Sequence, residues 1–143
     1  VSKKSMQAKM ICEFNMALAY FFLKDNKQCL KWSNSCFKMF DMKAKKFRHD
    51  LAISSLILQT FIYIDLKHFE LALRNIEWVF SIAELNKYGV AEMAIFKILK
   101  EMAKEEKITG FIDELVLIIN KQGKAVINLD KDAVVYWVEA KGY

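Results

Sequence analysis

The stretch Tyr20-Phe-Phe-Leu-Lys-Asp-Asn-Lys-Gln-Cys-Leu-Lys-Trp-Ser-Asn-Ser-Cys-Phe37 returns 43 residues later as Tyr63-Ile-Asp-Leu-Lys-His-Phe-Glu-Leu-Ala-Leu-Arg-Asn-Ile-Glu-Trp-Val-Phe80. Tyr, Leu, Lys, Leu and Phe are identical between the two copies, and Lys31/Arg74 and Cys29/Ala72 are close substitutes. Self-similarity at a fixed offset between helical segments predicts stacked helical hairpins, because one hairpin cannot bury its apolar face alone. Composition agrees: the chain has no proline and only four glycines, at 55% apolar residues, so little in it interrupts a helix. Gly89, Gly110, Gly123 and Gly142 each fall at the edge of an apolar-periodic segment and serve as helix punctuation.

At 143 residues the chain fits one domain, able to bury roughly 70% of the surface its unfolded form exposes. The period predicts a helix from about Met6 to Lys24, apolar nearly all round, and a turn at Asp25-Asn26 into a second helix ending near Phe40. Leu30, Ser33, Phe37 and Phe40 form the inner stripe of that second helix. A charged connector from Asp41 to His49 carries Lys43, Lys45, Lys46 and Arg48, after which Asp50 is expected to cap a third helix to Leu66. Lys67-His68 makes the next turn, and a fourth helix runs to about Asn86. Val90 to Lys104 is amphipathic on Met93, Phe96, Leu99 and Met102, and Phe111 to Asn120 is a shorter apolar helix. Ala125 to Asp130 is expected to be loop or extended chain, with Asp130 capping a closing helix that holds Ala133, Val134, Trp137 and Val138. This gives hairpins over about 6–40, 50–86 and 90–121 and a capping helix over about 131–141.

The echoed segment resembles the tetratricopeptide family. Tyr20 and Tyr63 match its aromatic near the end of the first helix, Phe69 its turn tyrosine, and Cys29 and Ala72 its small residue in the second helix. Ala17 matches its small first-helix residue, whereas the counterpart Thr60 is larger. Lys24 and Lys67 stand where the family has a turn glycine, Asn26 replaces the turn aromatic, no proline closes either hairpin, and the spacing of 43 exceeds the family's. The likeness covers about residues 11–85, and the chain resembles the divergent tetratricopeptide-like proteins of Bacteroidetes, to whose terminal helix Val135-Tyr-Trp-Val-Glu-Ala-Lys141 is also similar. It implies an all-α, right-handed stack of about three hairpins, whose first helices line a concave wall, and it implies no reaction. On that wall the resemblance places Ile11, Phe14, Leu18, Phe21 and Phe22, then Ser54, Ile57, Leu58, Phe61, Ile64 and Asp65. The partner-binding residues it implies are Phe14, Leu18, Phe21, Ile57, Phe61 and Ile64, and the partner it implies is a protein or peptide. An apolar wall of this kind has to be covered, by a partner or from within the chain.

Other chemistry has thinner support. Cys12, Cys29, Cys36, His49 and His68 are the soft or borderline metal donors, and none forms a Cys-x-x-Cys or His-x-x-x-His pair. Glu105-Glu106 and Asp113-Glu114 are paired carboxylates at helix edges, where the helix dipole accounts for the second pair. There is no glycine-rich phosphate loop and no nucleophile motif, so no catalytic residue, cofactor or metal is expected. An odd number of cysteines inside helical patterns fits a reduced compartment, and no signal peptide is visible, so the expected location is cytoplasmic. The longest uncharged run, Leu51 to Ile64, is too short for a membrane span. The start at Val1-Ser2 leads us to expect a piece of a longer protein. Charge supplies the alternative function. Residues 1–50 hold eleven basic and four acidic side chains against eleven and thirteen in residues 51–143, so a basic helical module binding RNA or another polyanion is the second expectation.

Overall fold

The computed structural model describes residues 2–41, 47–122 and 131–142. Among them are seven α-helices and no strand: α1 (Lys3–Phe22), α2 (Asn26–Asp41), α3 (His49–Asp65), α4 (Phe69–Leu85), α5 (Val90–Glu105), α6 (Phe111–Gln122) and α7 (Lys131–Glu139). Consecutive helices from α1 to α6 pack on one another; α1 also meets α3, and α3 meets α5. Helix α7 breaks this sequence by returning to α1 as well as touching α6.

The echo in the sequence is an echo in the backbone. Helix α1 ends with the Lys24 amide donating to Phe21 O and the Asp25 amide to Tyr20 O; 43 residues on, Lys67 donates to Ile64 O and His68 to Tyr63 O. Lys24 and Lys67 both take the left-handed conformation, each at φ 61°. This is the Schellman end of a helix, which normally uses glycine because a side chain is strained there. The two lysines at the turn-glycine position therefore adopt the glycine conformation without being glycine. Lys87, at φ 55°, ends α4 in the same way, with Tyr88 donating to Ala83 O. Cys29 and Ala72 are both fully buried one turn into the following helices, and Tyr20 and Tyr63 are both partly buried.

Helix α3 is the hub. From Leu51 through Ile62 every residue is buried, which its uncharged sequence demands, since α1, α2, α4 and α5 surround it. Two of its buried polar residues are accommodated by hydrogen bonds: Thr60 Oγ1 donates to Leu56 O at 2.8 Å, and Gln59 bridges two neighbours. Gln59 Nε2 donates to Ser33 Oγ on α2 at 3.0 Å, while Asn75 Nδ2 on α4 donates to Gln59 Oε1 at 2.9 Å. This buried chain ties three helices in one register, and an unmatched member would leave its partners unsatisfied.

Several boundaries differ from the sequence reading. Helix α1 begins at Lys3 rather than Met6 because Ser2 caps it, its Oγ accepting the Ser5 amide at 3.1 Å. Asp50 is not the cap of α3. The helix starts at His49 after a left-handed Arg48, and Asp50 lies in the first turn, where Arg48 Nε and Nη2 grip its carboxylate at 3.0 and 2.8 Å. Asp50 thus stands one residue inside the helix, past the cap position, and its carboxylate is oriented by the forked guanidinium. Helix α1 is buried on one face only: Ile11 and Phe22 stay 37% exposed, although its sequence is apolar nearly all round. Gly89 caps the start of α5, where its amide donates to Glu92 Oε1 at 3.3 Å. The connector lysines Lys43, Lys45 and Lys46, the punctuation at Gly123, the Ala125 to Asp130 segment and the capping role of Asp130 lie outside the described residues.

Candidate functional site

The wall formed by α1 and α3 carries α7. Ala133, Val134, Trp137 and Val138 are the buried face of α7, spaced at three and four as an amphipathic helix requires. The Trp137 ring stacks on Phe61 with centroids 4.4 Å apart and planes 10° from parallel. Its indole N–H donates to both oxygens of Asp65, at 3.1 and 3.2 Å. Lys141, four residues further on, pairs with the same carboxylate at 2.6 Å and lies 4.9 Å from the Trp137 ring centroid. On the α1 side, Tyr136 makes edge contacts to Phe21 at 5.8 Å and Phe22 at 5.0 Å, and its hydroxyl donates to Phe22 O at 3.2 Å.

Among the residues that the sequence points to for partner binding, Phe14, Phe21, Ile57, Phe61 and Ile64 are buried and Leu18 is partly buried. They do not form an open face. Phe21 and Phe61 come together, 6.1 Å apart, beneath Tyr136 and Trp137, so this end of the wall is covered from within the chain. Of the other wall residues, Ser54 and Leu58 are buried, whereas Ile11 and Phe22 keep part of their surface in solvent. The polar contact that holds α7 here is made by Asp65, which the resemblance lists among the wall residues without a role. It is the one charged residue in α3 after the first turn, and its two partners, Trp137 in α7 and Lys141 in the turn that follows it, are four residues apart.

The remaining candidate groups are built into the core. Burial pushes the Cys29 thiol up to about 12, with the Asp25 charge adding to it. Burial likewise raises Cys36 to about 11, and Cys36 Sγ donates to Met10 O at 3.5 Å. Thiols held this far above neutral pH are poor nucleophiles. A thiol reagent is therefore expected to label the exposed Cys12 in the folded protein and the other two only on unfolding. His49 Nδ1 lies 2.8 Å from the Tyr88 hydroxyl, and burial, helped by the Glu92 and Asp50 charges, raises the Tyr88 phenol above its usual range. Burial alone pushes Asp50 up, but the Arg48 hydrogen bonds and charge outweigh it and hold the carboxyl below its usual value. No group of three His, Cys, Asp or Glu among the described residues converges as a metal site, and no described helix is long and apolar enough to cross a membrane.

A second apolar feature lies away from the wall. Helices α5 and α6 enclose a groove of about 720 Å³ lined by Ala91, Ala94, Ile98 and Ile118, with Val90 and Leu117 exposed at its edges. No protein-family profile, curated protein or solved structure matches the chain.

Proposed function

We propose that the protein is a tetratricopeptide-like protein-interaction module of the cytoplasm, without catalytic activity, in which three hairpins (α1/α2, α3/α4, α5/α6) present an inner wall that binds a helix. The observation that carries this reading is the seating of α7. The wall accepts a nine-residue amphipathic helix and the turn after it, through an aromatic stack on Phe61 and a carboxylate, Asp65, that takes the indole N–H of the helix and the Lys141 ammonium of the turn. The matched Schellman turns at Lys24 and Lys67, and the contacts of α1 with α3 and α3 with α5, support a repeated hairpin arrangement. On this reading α7 is the chain's own occupant of the site, and a partner presents a helix with the same pair of features, an aromatic and, four residues on at the helix end, a basic residue.

A peptide spanning residues 131–142, labelled with a fluorophore, tests it. Trp137→Ala in the full chain weakens the internal occupant, so that variant binds the peptide, whereas the parent resists it because its own α7 sits at high effective concentration. Adding Asp65→Ala to Trp137→Ala should remove the peptide binding. Absence of binding to the folded Trp137→Ala chain would overturn the wall as a helix-recognition site. Salt separates the polyanion alternative, since capture through phosphates weakens steeply as salt rises and an aromatic stack does not.

A further inference from the structure

Two sides of α5 are apolar. Ile95, Phe96, Leu99 and Met102 face the core, and a second stripe one side round, Val90, Ala91, Ala94 and Ile98, lines the groove shared with α6. Val90 is 88% exposed and Leu117, across the groove on α6, is 69% exposed. A groove of this kind that no other described helix fills is an interaction surface rather than scattered surface apolarity.

The charges around it identify the occupant. The groove is bordered by Lys97 and Glu101 from α5 and Glu114 and Lys121 from α6. Helices α5 and α6 pack together across a short link and so run antiparallel. Glu101 and Glu114 consequently both lie toward the link, while Lys97 and Lys121 lie further along, by about 6 Å and about 10 Å at 1.5 Å per residue. The groove is acidic at one end and basic toward the other. None of the four side chains makes an ion pair among the described residues. A second copy rotated by a two-fold axis perpendicular to the groove sets its acidic end on the first copy's basic end, and its Leu117 and Val90 over the apolar floor.

We propose that the α5/α6 groove is a self-association face, through which two copies of this chain pair about a two-fold axis. The face goes beyond the inner-wall reading and shares no residue with it, so either fails without the other. The exposed α1 stripe, with Ile11 and Phe22, does not serve as the counterpart, because Lys4, two turns before Ile11 on the same face, is basic and matches only the acidic half of the rim.

Mass measurement by light scattering or sedimentation, from low micromolar to near-millimolar protein, tests the proposal. The expected result is a monomer–dimer equilibrium that Leu117→Glu shifts to monomer with unchanged helical circular dichroism, raising Kd by at least roughly tenfold. The pair Lys97→Glu/Lys121→Glu and the pair Glu101→Lys/Glu114→Lys should each be monomeric alone, and an equimolar mixture of the two should regain the dimer mass. A parent chain that stays monomeric throughout overturns the proposal. So does a dimer that survives both Leu117→Glu and the charge reversals, or a mass that climbs past two copies, which would indicate head-to-tail growth involving α1.

Discussion

The inner wall and the α5/α6 groove are both apolar, yet one is closed and the other open. At the wall, the single late charge of α3, Asp65, has both of its partners inside the chain, in Trp137 and Lys141. At the groove, four charges border the opening and none is committed to an ion pair within the described residues. Apolar content does not separate the two. What separates them is where the flanking charges find their complements, since a chain that covers its own apolar face also has to satisfy the polar groups at its edge.

The sharpest way to break this comparison is Phe61→Ser. Phe61 is fully buried between Phe21 and Trp137, so the substitution removes a core ring and places a hydroxyl among apolar groups. A loss of about 3–5 kcal/mol is expected in a urea melt, as for other buried aromatic truncations. A loss near zero would mean that the wall is open in solution and that α7 leaves it readily.

Asp65→Ala acts on the same region with a smaller effect. It leaves the buried Trp137 N–H without an acceptor and Lys141 without its counter-ion, for an expected loss of about 1–3 kcal/mol. Most of that loss should come from the indole, because the lysine is near solvent and an exposed pair contributes little. Trp137→Phe on the Asp65→Ala background should then cost little more through hydrogen bonding, and a double-mutant cycle measures that coupling. If the two changes are additive, the hydrogen bond from Trp137 to Asp65 contributes nothing to holding α7.

The architecture was legible where local rules govern it. The helix order, the polar turn between α1 and α2, and the burial of α3 follow from periodicity and from an uncharged run of chain. The position of Lys24 and Lys67 marked the turns, but their left-handed conformation was not visible, because lysine carries no preference that announces it. Asp50 misled because a cap and a first-turn acid look alike in sequence, and the forked contact from Arg48 decides between them. The destination of α7 was the least legible. Its apolar stripe shows that it packs on something, but its seat depends on Trp137 reaching Asp65 across 72 residues of chain. The Ser33, Gln59 and Asn75 chain was hidden for the same reason: each residue alone reads as an ordinary polar position.

Those two lysines also offer a modest gain. Lys24→Gly and Lys67→Gly each relieve a side chain held at φ 61°, where glycine is at ease, and each should stabilise the fold by about 1 kcal/mol. The gain should be nearly equal at the two sites, because the hydrogen bonds around them match. Unequal changes in chemical melts would show that the repeat is closer in sequence than in energetics.

The smallest expected effect is in the groove, and it sharpens the contrast with the wall. Leu117→Ser and Val90→Ser remove side chains that remain largely in solvent, so the monomer should change by no more than about 0.5 kcal/mol. Association adds a second term: a dimer is stabilised by mass action, so the parent chain should melt at a higher temperature as protein concentration rises. The serine variants should lose that concentration dependence while matching the parent at high dilution. A several-kcal/mol loss at every concentration would instead place Leu117 and Val90 in the folding core, and the groove would then be covered from within the chain just as the wall is.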